Sequence, residues 1–280
     1  MKYNFDLISD IHLDFYVDVR HPELKMRKRI KEFVNSILLE EKQKVLIIAG
    51  DLGHYNHQNI FLLEELKNFY EHIILVSGNH DYYLVSSSVK NKYKSDSMKR
   101  ISEMRNNASK IENVHYLDGD IIEIDKVKYG GVGMWYDFSY GKFFFGKSQE
   151  ALFNKWKEVM NDSQLIKGLD FFSDFKEADK EKEKLDLIID DSDIVITHVG
   201  PEWSRIPHEF KYDVCTSFYY FDGRPYFDKI EDKVWVFGHA HYRNDYDMHG
   251  CRFINASLGY PSERKSKRIV NVNSNNPWGI

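Results

Sequence analysis

Val45-Leu46-Ile47-Ile48-Ala49-Gly50-Asp51 is a run of five apolar residues that stops at a glycine and a carboxylate. A continuous β-rich run of that length is the pattern of a strand covered on both faces. The same design recurs on either side. Phe5-Asp6-Leu7-Ile8-Ser9 leads into Asp10-Ile11-His12, and Ile73-Ile74-Leu75-Val76 leads into Ser77-Gly78-Asn79-His80-Asp81. Between and after these strands the apolar spacing becomes helical. Ile30, Phe33, Val34, Ile37 and Leu38 mark one helix, and Leu62, Leu63, Leu66, Phe69 and Tyr70 the next. Met98, Ile101, Arg105, Ala108 and Ile111 mark a third, with its N-cap near Asp96 or Ser97. Buried strands alternating with amphipathic helices predict an α/β layered core.

Farther along, the rhythm changes. Val114 to Val132 reads as three short strands, with turns at Asp118-Gly119 and Asp125-Lys126. Met134 to Asp191 departs from the β pattern, first rich in aromatics and then helical and heavily charged. Strands resume at Ile194-Val195-Ile196, Val234-Trp235-Val236-Phe237, Arg252-Phe253-Ile254 and Arg268-Ile269-Val270. The polar stretch Asn271 to Asn276 is expected to be loose.

With 280 residues, 42% hydrophobic and 30% charged, the chain can bury a large core as one domain or two. Its net charge of −5 gives no general attraction to nucleic acid. The basic runs Lys25 to Lys31 and Arg264 to Arg268 read as a solvated helix face and an exposed turn. No apolar run approaches the roughly 20 residues that cross a bilayer, and the first residues lack the pattern of a signal peptide. Cys215 and Cys251 are too few for a disulfide framework, which places the protein in a reducing cytoplasm.

Five clusters of metal-ligand chemistry follow predicted strands. Asp10 and His12 lie two apart on an extended chain and can grip one ion, and a carboxylate with an imidazole suits a borderline divalent metal. Asp51, after Gly50, can bridge two ions through its two oxygens. Asn79 offers a neutral oxygen, His80 a proton donor and Asp81 a carboxylate able to orient an imidazole. His198 ends a fourth strand, and Gly238-His239-Ala240-His241 supplies two histidines beyond a fifth. Paired histidines two apart are a good metal-binding signal in their own right, but most of these short motifs are weak alone. Their coincidence at the ends of strands, where α/β sheets gather their reactive groups, is not.

The series Asp10-X-His12, Gly50-Asp51, Gly78-Asn79-His80-Asp81, His198 and Gly238-His239-X-His241 resembles the calcineurin-like metallophosphoesterase superfamily over nearly the whole chain. Gly133 to Phe138 and Asn255 to Pro261 look like segments of its bacterial and phage branch. One departure is Thr197-His198-Val199-Gly200-Pro201, where many relatives carry a second histidine after the ligand. The resemblance implies a four-layer α/β/β/α sandwich formed by a single domain, 1–280. It implies two divalent ions, manganese first, with iron, zinc, nickel or magnesium as alternatives. Asp10, His12 and His241 would hold one ion, Asn79, His198 and His239 the other, and Asp51 would bridge them.

The expected reaction is hydrolysis of a phosphate ester by a metal-bridging hydroxide, on a phosphorylated small-molecule or nucleotide-like substrate. His80, oriented by Asp81, would protonate the leaving oxygen. A nuclease of the same superfamily would want an extended basic groove, and a non-enzymatic metal-binding scaffold would not need His80. Among nearby residues, Asp14 reads equally as a support to the ligands or as a cap. His54 and His57 are expected to face solvent, Tyr82 and Tyr83 to pack, and His208 and His249 to have no role. The segment at about 134–191 is too long for an ordinary connection, so we expect an insertion or cap there. Its aromatics, Trp135, Tyr136, Phe138, Tyr140, Phe143, Phe144 and Phe145, would then select the organic part of the substrate, the alternative being a decoration on the core edge.

Overall fold

A computed structural model describes residues 3–169 and 176–273. The three apolar runs of the first part become parallel neighbours: β1 (Asn4–Ile8), β2 (Val45–Ile48) and β3 (His72–Leu75). β4 (Val114–Tyr116) extends this sheet beside β3, and β11 (Val270–Asn273) closes its other edge antiparallel to β1. The second sheet has the order β5 (Asp120–Ile124), β6 (Val127–Gly131), β7 (Ile194–Ile196), β8 (Val234–Phe237), β10 (Cys251–Asn255) and β9 (Asn244–Met248). Its inner strands β6, β7, β8 and β10 are parallel.

Strict alternation along the strands sets the layers. Val45, Ile47, Ile74 and Val76 of one sheet pack against Ile194, Ile196, Val234 and Val236 of the other. Leu46, Ile48, Ile73 and Leu75 point the opposite way, onto α1 (Glu23–Ile37), α2 (Asn56–Leu66) and the later α4 (Ser97–Ala108); a short α3 (Ser87–Lys92) precedes α4. On the outer face of the second sheet, Val195, Trp235, Phe237 and Phe253 meet α6 (Gln149–Val159) and α8 (Lys176–Ile188). Two shorter helices, α5 (Ser139–Phe145) and α7 (Asp162–Leu165), flank α6, and α9 (Pro261–Arg264) follows β10. The result is the expected α/β/β/α sandwich.

Several local expectations need correction. The last strand begins at Val270, not Arg268, and Asn271–Asn273 belong to it: Val272 is buried and Asn271 donates to Asp6 Oδ1 at 3.0 Å. Residues 274–276, also expected to be loose, lie outside the described residues. The polar strand β9 carried no β signal and forms by pairing with β10. Phe69 and Tyr70 fall beyond the end of α2, where the Tyr70 hydroxyl donates to Asp6 Oδ2. The N-cap of α4 is Asp96, as expected. No helix among the described residues is long and apolar enough to cross a membrane.

Arg100, on the buried face of α4, ties two loops of the strand ends together. Its guanidinium donates to the carbonyls of His80 and Asp81 after β3 and of Gly53 after β2. Methionine there removes the donor of the Asp81 carbonyl, at a cost of roughly 1–3 kcal/mol, whereas the Gly53 and His80 carbonyls keep the Asn59 amide and the Tyr83 N–H. Arg100→Met should therefore lower unfolding free energy by roughly 1–3 kcal/mol, measured by urea denaturation. A loss well under 1 kcal/mol would show that this pin is dispensable.

Candidate metal centre

The loops leaving β1, β2, β3, β7 and β8 meet at one edge of the sandwich and bring the expected residues together. His12 Nε2 lies 3.0 Å from His241 Nε2, and Asp10 Oδ1 lies 3.4 Å from the same nitrogen. Asp51 Oδ2 stands between histidines, 3.7 Å from His12 Nε2 and 3.4 Å from His198 Nε2. On the far side, Asn79 Oδ1 is 3.2 Å from His198 Nε2, and the His198 and His239 rings are 5.1 Å apart. Asp10, His12 and His241 form one group of mutually close donors; Asp10, Asp51 and His198 form another; His12, Asp51 and His80 form a third.

Most of these side chains are held through one polar atom so that another is left for the site. His198 Nδ1 is committed to the Ala49 carbonyl at 2.8 Å, His239 Nε2 to the Phe218 carbonyl at 2.9 Å, and His241 Nδ1 to Glu263 at 2.8 Å. The Asn79 amide donates to Asp162 Oδ1 at 2.8 Å, which turns its oxygen toward His198. Ser257 and Ser9 donate to Asp10 Oδ2, and the His239 N–H donates to Asp10 Oδ1. The backbone is strained to achieve this. Asp10, His12, Asp51, His239 and His241 all have φ between 45° and 66°, a region that costs non-glycine residues on the order of 1–3 kcal/mol and clusters at functional sites. Gly50 and Gly78 have no room for a Cβ, which would overlap His198 and Asp51 respectively.

Electrostatics divides the histidines into two kinds. Burial pushes the pKa of His12 and of His239 down to about 4, so both rings are neutral at pH 7. Burial works the same way on His198 and His241 but loses to carboxylates. The Asp51 charge raises His198 to about 9, and hydrogen bonds to Asp10 and Glu263 raise His241 to about 10. Burial also holds His80 well below the usual histidine range, against the opposing pull of Asp51.

His80 and Asp81 depart from expectation in one respect. The Asp81 carboxylate does not meet the His80 ring. It accepts from the backbone N–H groups of Gly78, Asp51 and Leu52 at 2.8–3.2 Å, and so fastens two loops to each other. A short 3₁₀ turn over Asn79–Tyr82 points the carboxylate back at its own loop, which is why it cannot orient the adjacent imidazole. The ring of His80 is met instead by His54, whose Nε2 lies 2.8 Å from His80 Nδ1. His54 is therefore buried, not solvent-facing, and pairs with Asp14. Tyr83 packs as expected, stacked on His80 at 4.3 Å. His57, His208 and His249 are exposed. Asp162 and Arg100 had no motif around them to mark them.

A cavity of about 390 Å³ opens over these residues, with Asp51, Asn79, His80, His239 and His241 among its lining. Tyr83, Tyr219, Tyr242, Tyr260 and Phe210 supply aromatic walls, and among the described residues the lining contains no lysine or arginine. The 134–191 segment contributes Val159, Met160 and Asn161. Among its described residues no aromatic lines the cavity: Trp135 and Tyr136 are buried in the core, and Phe144 is half exposed beside Tyr140.

Comparison with known proteins bears on the fold and the family. An uncharacterized protein, L509, of Acanthamoeba polyphaga mimivirus is 24% identical over 92% of each chain. The crystal structure of a phosphopantetheinyl hydrolase from Mycobacterium tuberculosis superimposes with a TM-score of 0.71 at 17% identity, covering 96% of this chain and 95% of that one. TT1561 of Thermus thermophilus gives a TM-score of 0.51 at 8% identity, over 98% and 99%. Residues 3–243 match the calcineurin-like phosphoesterase family. With the match spanning most of its length, the chain belongs to that family.

Proposed function

We propose that this chain hydrolyses a phosphate ester of a small molecule at a centre of two divalent cations. Asp10, His12 and His241 would hold one cation, Asn79, His198 and His239 the other, with Asp51 shared. The observation that carries this reading is the donor set itself: histidines committed through one nitrogen, the other turned inward, around two buried carboxylates. Imidazole with carboxylate suits manganese, iron or zinc, and manganese is our first choice. Bound there, the cations supply Lewis-acid stabilisation of the phosphoryl oxygens and acidify water. The protein's own part is to exclude solvent, to place the ester and to protonate the leaving oxygen from His80, which lines the cavity.

The cavity favours a small substrate over nucleic acid. A strand of phosphates needs a cationic track, and this lining offers aromatic faces, Asp213 and Glu263 instead. One phosphoryl group and an uncharged organic part of modest size suit it. We place the enzyme in a reducing cytoplasm, consistent with two free cysteines. We also propose that the 134–191 segment serves as a cap through Val159–Asn161, which stand on one wall of the cavity.

Chelation should abolish activity on p-nitrophenyl phosphate, bis-p-nitrophenyl phosphate or a phosphopantetheinyl ester, and Mn²⁺ should restore it. Asp51→Asn should lose bound metal, whereas His80→Ala should keep it and slow turnover by roughly 10²–10⁴-fold. Metal analysis of both variants checks this, and loss of an ion from the His80 variant overturns the assignment. Preferential cleavage of single-stranded DNA would favour a nuclease.

Metal binding should also release protons. His198 and His241, with pKa values of about 9 and about 10, are protonated at pH 7, and a cation must displace those protons. Affinity for Mn²⁺ should therefore rise from pH 6 to 9, as the competing proton becomes easier to remove. Calorimetry in two buffers of different ionisation enthalpy reads the release, expected near two protons per fully loaded protein. An affinity independent of pH contradicts it.

The cap has its own test. Met160→Ala should change KM and the ranking of phosphate esters with metal content unchanged, while Phe144→Ala, away from the cavity, should not. Identical kinetics for the wild type and Met160→Ala would leave the segment as a decoration on the core.

A further inference from the structure

Asp14, His54 and His80 form a file of side chains that the reading above leaves unused beyond its last member. His54 stands on the loop after β2, three residues past Asp51. Its backbone N–H donates to Asp14 Oδ1 at 2.9 Å, and its Nδ1 lies 2.7 Å from Asp14 Oδ2. Its Nε2 lies 2.8 Å from His80 Nδ1. Tyr83 lies nearly parallel to both rings, with centroids 5.5 Å from His54 and 4.3 Å from His80, and covers the pair.

Directions follow from what each atom can do. An ionised carboxylate only accepts, so His54 Nδ1 carries a hydrogen. For His80 to carry Nε2–H as well, the two rings hold three hydrogens and one positive charge, set against the Asp14 carboxylate. The middle hydrogen starts on His54 Nε2 and is accepted by Nδ1 of a neutral His80. That commits Nδ1 of His80, and Nε2 is the nitrogen left for the cavity. Asp14 cannot turn away, because both of its oxygens are engaged by His54.

We propose that His54, anchored by Asp14, is the positioning residue that presents His80 Nε2–H to the leaving oxygen; this rests on the phosphoester-hydrolysis reading above. When the bond between phosphorus and the leaving oxygen breaks, its electron pair stays on that oxygen. The Nε2 proton of His80 passes to it. The hydrogen between the two rings then rests on His80 Nδ1, and His54 keeps its Nδ1–H on Asp14. Neither ring is left with two lone pairs facing each other. Solvent returns one proton to the pair before the next turnover.

The test is the dependence on the leaving group, which a merely structural residue would not alter. Phenyl and 2,4-dinitrophenyl esters, as phosphomonoesters and as methyl phosphodiesters, are compared with Mn²⁺-loaded protein. In His54→Ala, kcat for the phenyl ester should fall roughly 10–100-fold, the usual size of losing a partner behind a functional group. The dinitrophenyl ester, whose leaving oxygen needs no proton, should be nearly unaffected, with KM and metal content unchanged. His54→Gln places an amide, which can donate or accept, where Nε2 stood and should recover most of the phenyl ester rate. An equal loss on both esters, no loss on either, or a Gln variant as slow as the Ala variant overturns the proposal while leaving the hydrolysis reading standing. A wild-type protein that turns over neither ester overturns that reading, and this one with it.

Discussion

Two carboxylates, Asp10 and Asp51, sit essentially out of reach of water at the junction of the sheets. An ionised carboxylate buried in this way is tolerated only where positive charge or hydrogen-bond donors surround it. Much of the local architecture answers that demand. Ser9, Ser257 and the His239 amide donate to Asp10, and the His80 amide donates to Asp51. His198 and His241 are drawn into their charged forms beside them. The favourable arrangement is thus one in which net positive charge is held between Asp10 and Asp51, and a divalent cation supplies it more compactly than two protons on rings.

The parallel strands make that concentration of charge possible. Their carboxyl ends face one way, so five loops can deliver side chains to one edge without a long connection crossing the core. The loops must turn sharply, and the turning is done by the functional residues themselves, several of them in left-handed conformations. Such strain persists only where the surroundings over-determine it. Here Arg100 and Asp81 do so from two sides: one donates to the carbonyls of the loops, the other accepts their N–H groups. Stability stored in helices and sheets is thereby spent on a rigid rim.

The layered core was legible because its strands are apolar on both faces, a pattern that needs no partner to be read. Val45 to Ala49 is visible for that reason. β9 was not, because its residues are mostly polar and its strand character comes from pairing with β10; β11 was read two residues early, because Asn271 and Asn273 interrupt its apolar residues and its place is fixed by pairing with β1. The same distinction applies at the site. Asp10, His12, Asp51, Asn79, His198, His239 and His241 carry their chemistry in short local motifs beside strands. His54, Asp14 and Asp162 act through contacts made across 26 to 83 positions of sequence, and no local spacing announces them. Asp81 misled for the opposite reason: adjacency to His80 suggested a contact that the 3₁₀ turn forbids.

The stretch around Asn161 and Asp162 shows how closely the 134–191 segment and the candidate metal centre are joined. Asp162 is buried and accepts from the hydroxyls of Tyr83 and Tyr136 as well as from the Asn79 amide. With its carboxylate shared in that way, the Asn79 amide has one favourable orientation, and its oxygen faces His198. The preceding residue, Asn161, lines the cavity. One turn of the 134–191 segment therefore touches both the substrate side and a proposed metal ligand. Displacing it would free Asn79 to flip, turning an amide hydrogen toward a place that needs a lone pair. The segment cannot be exchanged as a module that merely selects substrates, because a ligand's orientation depends on it.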